Sequence, residues 1–150
     1  MKISCIHVGP LQTNCYIASY MANDKRHGII VDPGDDAETI QTFIQNEAIT
    51  PVVILLTHDH VDHIRGVGDL AKVYRIPVWL HESGHDWYQS SENALPPWLP
   101  PAQNLPVPTA HMPDLSPLSC QIIHTPGHTP SCVCFYFQDQ QVLFSGDTLF

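Results

Sequence analysis

Ten of the 150 residues are histidine, and three of them lie with two carboxylates in one short segment, Thr57-His58-Asp59-His60-Val61-Asp62-His63. Histidine is the commonest metal ligand and titrates near neutrality. In extended chain, residues two apart project to the same side, so His58 and His60 can reach one cation at ~2.0–2.1 Å. Asp62 and His63 are adjacent and diverge, so they suit a neighbouring position. One segment can thus furnish two half-sites. A chain of this composition would carry HxHxDH by chance roughly three times in a thousand. The plain alternative is a polar loop of surface histidines, but such crowded side chains would repel on protonation.

Two further segments carry candidate groups. His124-Thr125-Pro126-Gly127-His128-Thr129 and Ser145-Gly146-Asp147-Thr148 each follow an expected strand. A carboxylate at a strand end, placed where histidines gather, can bridge two cations and offset their repulsion. Alone, these segments read as a Pro-Gly turn with an exposed histidine and as a hairpin end; beside HxHxDH they read as parts of one site. His124 is expected at a strand end or as a partner orienting a ligand. His7, His27, His81, His85 and His111 lack ligand spacing and are expected on surfaces or loops. Cys132 and Cys134 share a strand face and are read as buried small hydrophobes, since there is no second pair to complete a thiol site. Trp87, Tyr88 and Trp98 form either an apolar lid or the packing of a long loop.

These groups need elements to hold them. Hydrophobic patterning predicts strands over about 2–8, 14–20 and 28–32, with a turn at Ala22-Asn23-Asp24. A helix follows with Ala37, Ile40, Phe43 and Ile44 on one face and Asp35 or Asp36 as N-cap. Residues 51–56 form the short apolar run of a buried strand, ending directly in Thr57-His58. A second helix is expected over about 63–74, weakened by Gly66 and Gly68, and then a strand over 77–80. The proline-rich stretch 83–118 is expected to be loop, with part of 82–91 helical. Strands at about 120–124, 132–137 and 142–145 complete an α/β layered fold with one or two mixed sheets. There is no internal repeat and no nucleotide-binding glycine motif.

Length and composition bound the rest. The chain is long enough for one domain with an ordinary core, and its 43% apolar and 14% charged residues argue against disorder. No apolar run approaches the ~20 residues of a membrane helix. The opening residues lack the features of a secretory leader. Net charge is −9, and no Lys or Arg follows Arg75. With no basic face to neutralise phosphates, nucleic acid is not an expected partner. Five cysteines, an odd number, favour a reducing, cytoplasmic setting over a disulfide framework.

The motifs resemble those of the metallo-β-lactamase superfamily, with the best likeness to its glyoxalase II-like (hydroxyacylglutathione hydrolase-like) members. The resemblance is carried by Gly9-Pro10-Leu11-Gln12-Thr13-Asn14-Cys15-Tyr16, Val31-Asp32-Pro33-Gly34, the HxHxDH segment, His124–Pro130 and Ser145-Gly146-Asp147-Thr148-Leu149-Phe150. It implies an αβ/βα sandwich with mixed sheets and a dinuclear centre. In that reading His58, His60 and His128 hold the first metal, Asp62 and His63 the second, and Asp147 bridges. Asp32 would support a ligand rather than be one. Two departures stand out. Ser131 occupies a position that is usually glycine in such proteins. Family members also continue past the GDTLF element, so the chain is read as a single domain lacking its C-terminal segment, with the second metal weak for want of its last histidine.

The expected activity is metal-dependent hydrolysis of glutathione-type or other small thioesters through a metal-bound hydroxide, with Asp62 and Asp147 orienting it. Zinc is the expected metal, one or two per chain, with iron or manganese as alternatives. The rivals are an iron-dependent persulfide dioxygenase-like enzyme and a non-catalytic metal-binding protein of the same fold.

Overall fold

The computed structural model describes residues 1–149. The first half is built on a hairpin meander: β1 (Lys2–Val8), β2 (Thr13–Ala22) and β3 (Lys25–Val31) pair antiparallel, in registers such as Ile3↔Ala18 and Ala18↔Ile29. Asn23 and Asp24 turn the second hairpin with φ of 50° and 58°, a left-handed pair that these short polar residues tolerate and that matches strand twist. Then the direction of pairing changes. Helix α1 (Ala37–Asn46) crosses over to β4 (Thr50–Leu55), which lies parallel to β3. The short helices α2 (Val61–Ile64) and α3 (Val67–Tyr74) lead to β5 (Val78–Trp79), parallel to β4. The result is a mixed five-stranded sheet in the order β1-β2-β3-β4-β5.

A 3-10 turn at Glu82–Gly84 and helix α4 (His85–Tyr88) open the proline-rich stretch. It is otherwise irregular up to β6 (Gln121–His124), which pairs antiparallel with β7 (Val133–Phe137), as β7 does with β8 (Val142–Phe144). These three strands form a second sheet.

Strand alternation separates two cores. Along β3 and β4, Ile30 and Ile54 face the helices and pack with Ile40, Ile44, Ile64 and Leu70. Their neighbours Ile29, Val31, Val53 and Leu55 face the other way and pack against Val133, Phe135, Phe137 and Phe144 of the second sheet. A strand whose successive side chains are both buried needs a cover on each face, which is why β3 ends in the apolar run 29–31 and β4 in the run 52–55. The architecture is the mixed-sheet α/β layering expected from the sequence.

Two local expectations are corrected. The helix expected over 63–74 is broken into α2 and α3, because the Gly66 amide donates to the Pro33 carbonyl at 2.8 Å instead of continuing the helical ladder. Asp36 stands at the N-cap of α1, but its carboxylate makes no cap bond. It accepts from the Gly9 amide at 2.8 Å and so fastens the Gly9–Tyr16 segment to the head of the helix.

Candidate metal centre

The β4 strand ends buried, and the chain that leaves it carries Thr57, His58 and Asp59 inside the protein; His58 has no exposed surface. His60 is the N-cap residue of α2, in extended conformation. Asp62 and His63 therefore occupy the first turn of that helix, one helical step from the imidazoles before it. From the second sheet, the turn after β6 brings in His128 and the turn after β8 brings in Asp147. All six residues singled out in the sequence meet at this one place.

They meet as two corners. One donor nitrogen from each of His58, His60 and His128 lies within 4.8 Å of the others, with ring centroids 4.5–5.0 Å apart in edge-to-face array. The other corner holds His63 and Asp62, with His63 Nε2 3.6 Å from Asp62 Oδ2. Asp147 spans both: its Oδ2 is 3.3 Å from His128 Nε2 and its Oδ1 is 3.4 Å from His63 Nε2.

Hydrogen bonding fixes the tautomers. The Thr57 hydroxyl donates to Asp32 Oδ2 at 2.6 Å, and the Thr57 amide donates to Asp32 Oδ1 at 2.7 Å. With its proton committed, the hydroxyl can only accept from His58 Nδ1, 3.1 Å away. That leaves the lone pair of His58 on Nε2, which is buried and has no protein partner. An orphaned buried acceptor is costly unless something electropositive meets it. His63 is arranged in the same way, with Nδ1 3.0 Å from Asp32 Oδ2 and Nε2 aimed at the carboxylates. Both oxygens of Asp32 are thus engaged, by Thr57 and His63.

The electrostatics divide along the same line. Burial, reinforced by His63 and His60, pushes the His58 imidazole far below its ordinary pKa. Burial and the nearby His128 also lower that of His60. For His63, burial works downward, but hydrogen bonds to Asp147 and Asp32 and the charges of Asp32 and Asp62 outweigh it and raise the pKa to about 10. The hydrogen bond from His63 in turn holds Asp147 below the usual carboxylate range, against its partial burial. One corner holds His58 and His60, whose imidazoles are biased toward the neutral form. The other is a proton held among carboxylates, in the place a second cation would take. The donor set fits divalent metal.

Further residues surround the centre, some of them not singled out in the sequence. Thr13 donates to Asp62 Oδ2 at 3.0 Å, giving the Gly9–Tyr16 segment a purpose at the site. Asn93 donates to the Asp59 carbonyl at 2.7 Å. Ser131 donates to Asp59 Oδ1 at 2.9 Å. His124 ligates nothing: its Nε2 donates to the Pro130 carbonyl at 2.9 Å, and its ring stacks on His81 with centroids 4.1 Å apart. All five cysteines are free, with Cys132 and Cys134 buried. Of the aromatic trio, Tyr88 is in the core while Trp87 and Trp98 are exposed. A cleft of about 510 Å³ opens beside the carboxylate corner, lined by Thr13, Tyr16, Asp62, His63, Phe144 and Asp147 among others.

The chain is 31% identical over its whole length to the probable metallo-hydrolase YqgX of Bacillus subtilis, covering 72% of that protein. It is also 31% identical to the hydroxyacylglutathione hydrolase GloC of Haemophilus influenzae, again over its full length and 73% of the relative. Among solved structures, the B3 metallo-beta-lactamase BLEG-1 superposes with a TM-score of 0.82 at 37% identity, over 99% of this chain and 73% of that one. TTHA1623, solved in a di-iron-bound form, superposes at 0.77 with 32% identity over 98% and 73%. The profile of the metallo-beta-lactamase superfamily matches residues 8–150, and the chain belongs to that superfamily.

Proposed function

We propose that the protein is a metal-dependent hydrolase of small thioesters, of the glutathione-thioester kind. The observation that carries the reading is the position of Asp147, whose two oxygens address the three-imidazole corner and the His63 corner separately. In this reading His58, His60 and His128 hold one divalent cation and Asp62 and His63 the other, with Asp147 between them. Zinc suits the imidazole set, and iron or manganese are the alternatives that metal analysis distinguishes. When bound, such cations supply hydroxide near neutral pH and polarise a substrate carbonyl.

The chain's own residues do the positioning. Asp62, steadied by Thr13, and Asp147 would accept hydrogen bonds from the attacking water or hydroxide and so aim its lone pair at the carbonyl. Asp32 and Thr57 lock the rings of His63 and His58. A thiolate leaves without a general acid, since thiols have pKa ~8.5; a β-lactam nitrogen needs a proton at departure. That difference, with the 31% identity to a hydroxyacylglutathione hydrolase, favours thioesters. The likeness to BLEG-1 makes β-lactams the second substrate class to examine.

The test offers lactoylglutathione and a chromogenic β-lactam to zinc-loaded protein, and follows oxygen uptake with glutathione persulfide on iron-loaded protein. Release of thiol from the thioester is expected. β-Lactam opening or oxygen consumption without thioester cleavage would replace the reading, and inactivity of metal-loaded protein in all three assays would make it a non-catalytic metal-binding protein.

A further inference from the structure

Asp59 is the ionisable residue of the HxHxDH segment that neither metal corner uses. Its side chain lies inside the protein, only 3% exposed, and points away from the imidazoles toward the turn that follows His128. There its Oδ1 accepts from the hydroxyl of Ser131 at 2.9 Å. Because that hydroxyl donates to the carboxylate, it accepts from Thr129 Oγ1, also 2.9 Å away. The Thr129 oxygen in turn accepts from the Ser131 amide at 3.2 Å. Thr129 is covalently next to His128, and Asp59 sits between His58 and His60. A buried chain of three side chains therefore joins the two segments that supply the imidazole corner, across 72 residues of sequence.

The surroundings are shaped for this link. Ser131 and Thr129 are buried, at 0% and 6% exposure. The facing residue is Gly84, where a Cβ would come within 2.7 Å of the Ser131 Cβ and 3.1 Å of Asp59 Oδ2; any larger residue would push the pair apart. Asn93 holds the main chain of Asp59 from the other side. A glycine at 131, as the family resemblance leads one to expect, would offer no hydroxyl, and the buried carboxylate would have no donor.

We propose that Ser131 is a positioning residue: its hydroxyl, bonded to Asp59, fixes the spacing between the His58–His60 segment and His128, and so sets the affinity and geometry of the three-imidazole corner for a divalent cation. The inference rests on the reading of that corner as a metal site. Supporting groups behind ligands commonly govern affinity by ten- to a hundredfold, and a buried carboxylate deprived of its donor will move to find another.

The experiment titrates the unaltered chain, Ser131→Ala, Asp59→Ala and the double variant with Co²⁺, reading the visible absorption bands, whose position and intensity report coordination geometry. Circular dichroism and melting of the metal-free chains accompany it, and Ser131→Gly serves as a second variant should the alanine chain fail to fold. Ser131→Ala is expected to weaken cobalt binding about tenfold or more and to alter the bands. In the Asp59→Ala background the same change should have an effect of about twofold at most, because the link is already broken. Wild-type affinity and bands in folded Ser131→Ala, or effects that multiply in the double variant, would overturn the proposal. If the unaltered chain bound no cobalt, the metal reading itself would fall and take this inference with it.

Discussion

Thr57 shows how one hydroxyl sets the chemistry of its neighbour. It satisfies a buried carboxylate and, by accepting from His58 Nδ1, turns the imidazole lone pair inward. Thr57→Val keeps the shape and removes both bonds. It should cost about 1–3 kcal/mol of stability and weaken metal binding roughly ten- to a hundredfold, read by urea unfolding and by zinc titration against a chromophoric chelator. Asp147→Asn separates the second role. The side chain retains its size but loses the charge that faces both His63 and His128, so metal content per chain should fall and turnover with it. Asp62→Asn, by contrast, should lower thioester turnover by orders of magnitude while the circular dichroism spectrum stays unchanged. The six candidate ligands were legible in the sequence because ligand chemistry restricts residue type and spacing together. Ser131 was legible only as an oddity, and Asp59 not at all: their meaning is a contact between distant segments, which no local pattern records.

Elements were readable wherever alternation was strong. The β1–β4 strands and α1 fall within a few residues of their expected places, since burial on one or both faces imposes a period that the sequence must keep. The 63–74 helix was misjudged because the competing partner of its Gly66 amide is the Pro33 carbonyl, supplied by the turn after β3. That turn presses directly on the metal-facing helix: a Cβ on Gly34 would lie 1.7 Å from the Asp62 carbonyl oxygen. Gly34→Ala must therefore displace the start of α2 or the turn itself. We expect a loss of about 2 kcal/mol or more, with the Asp62–Thr13 hydrogen bond broken. Chemical denaturation measures the first effect. A fall in metal stoichiometry larger than that of an equally destabilised core variant, such as Ile44→Val, would locate the second at the site.

For the molecule as a whole, the centre is a joint between two sheets. His58, His60, Asp62 and His63 belong to the five-stranded sheet and the helix leaving it, while His128 and Asp147 come from the turns of the three-stranded one. Backbone already links the sheets there, with the Val133 amide donating to the Thr57 carbonyl at 2.8 Å, and the apolar layer between them does most of the holding. A cation bound to groups from both sides binds only the folded chain, so it must raise stability by mass action. At a free concentration a hundred times its Kd the gain is about 2.7 kcal/mol, which for a chain of this size corresponds to a melting shift of about 5–10 °C. Addition of a strong chelator should remove that shift reversibly. Two histidine variants then distinguish stapling from plain packing. His128 is 36% exposed at its side chain, so His128→Ala should leave the metal-free melting temperature nearly unchanged and abolish the metal-dependent rise. His58 is wholly buried, so His58→Ala opens a cavity and should lower the metal-free melting temperature as well. Equal metal-dependent shifts in His128→Ala and the unaltered chain would mean that His128 is not a ligand, leaving Asp147 as the second sheet's contribution to the centre.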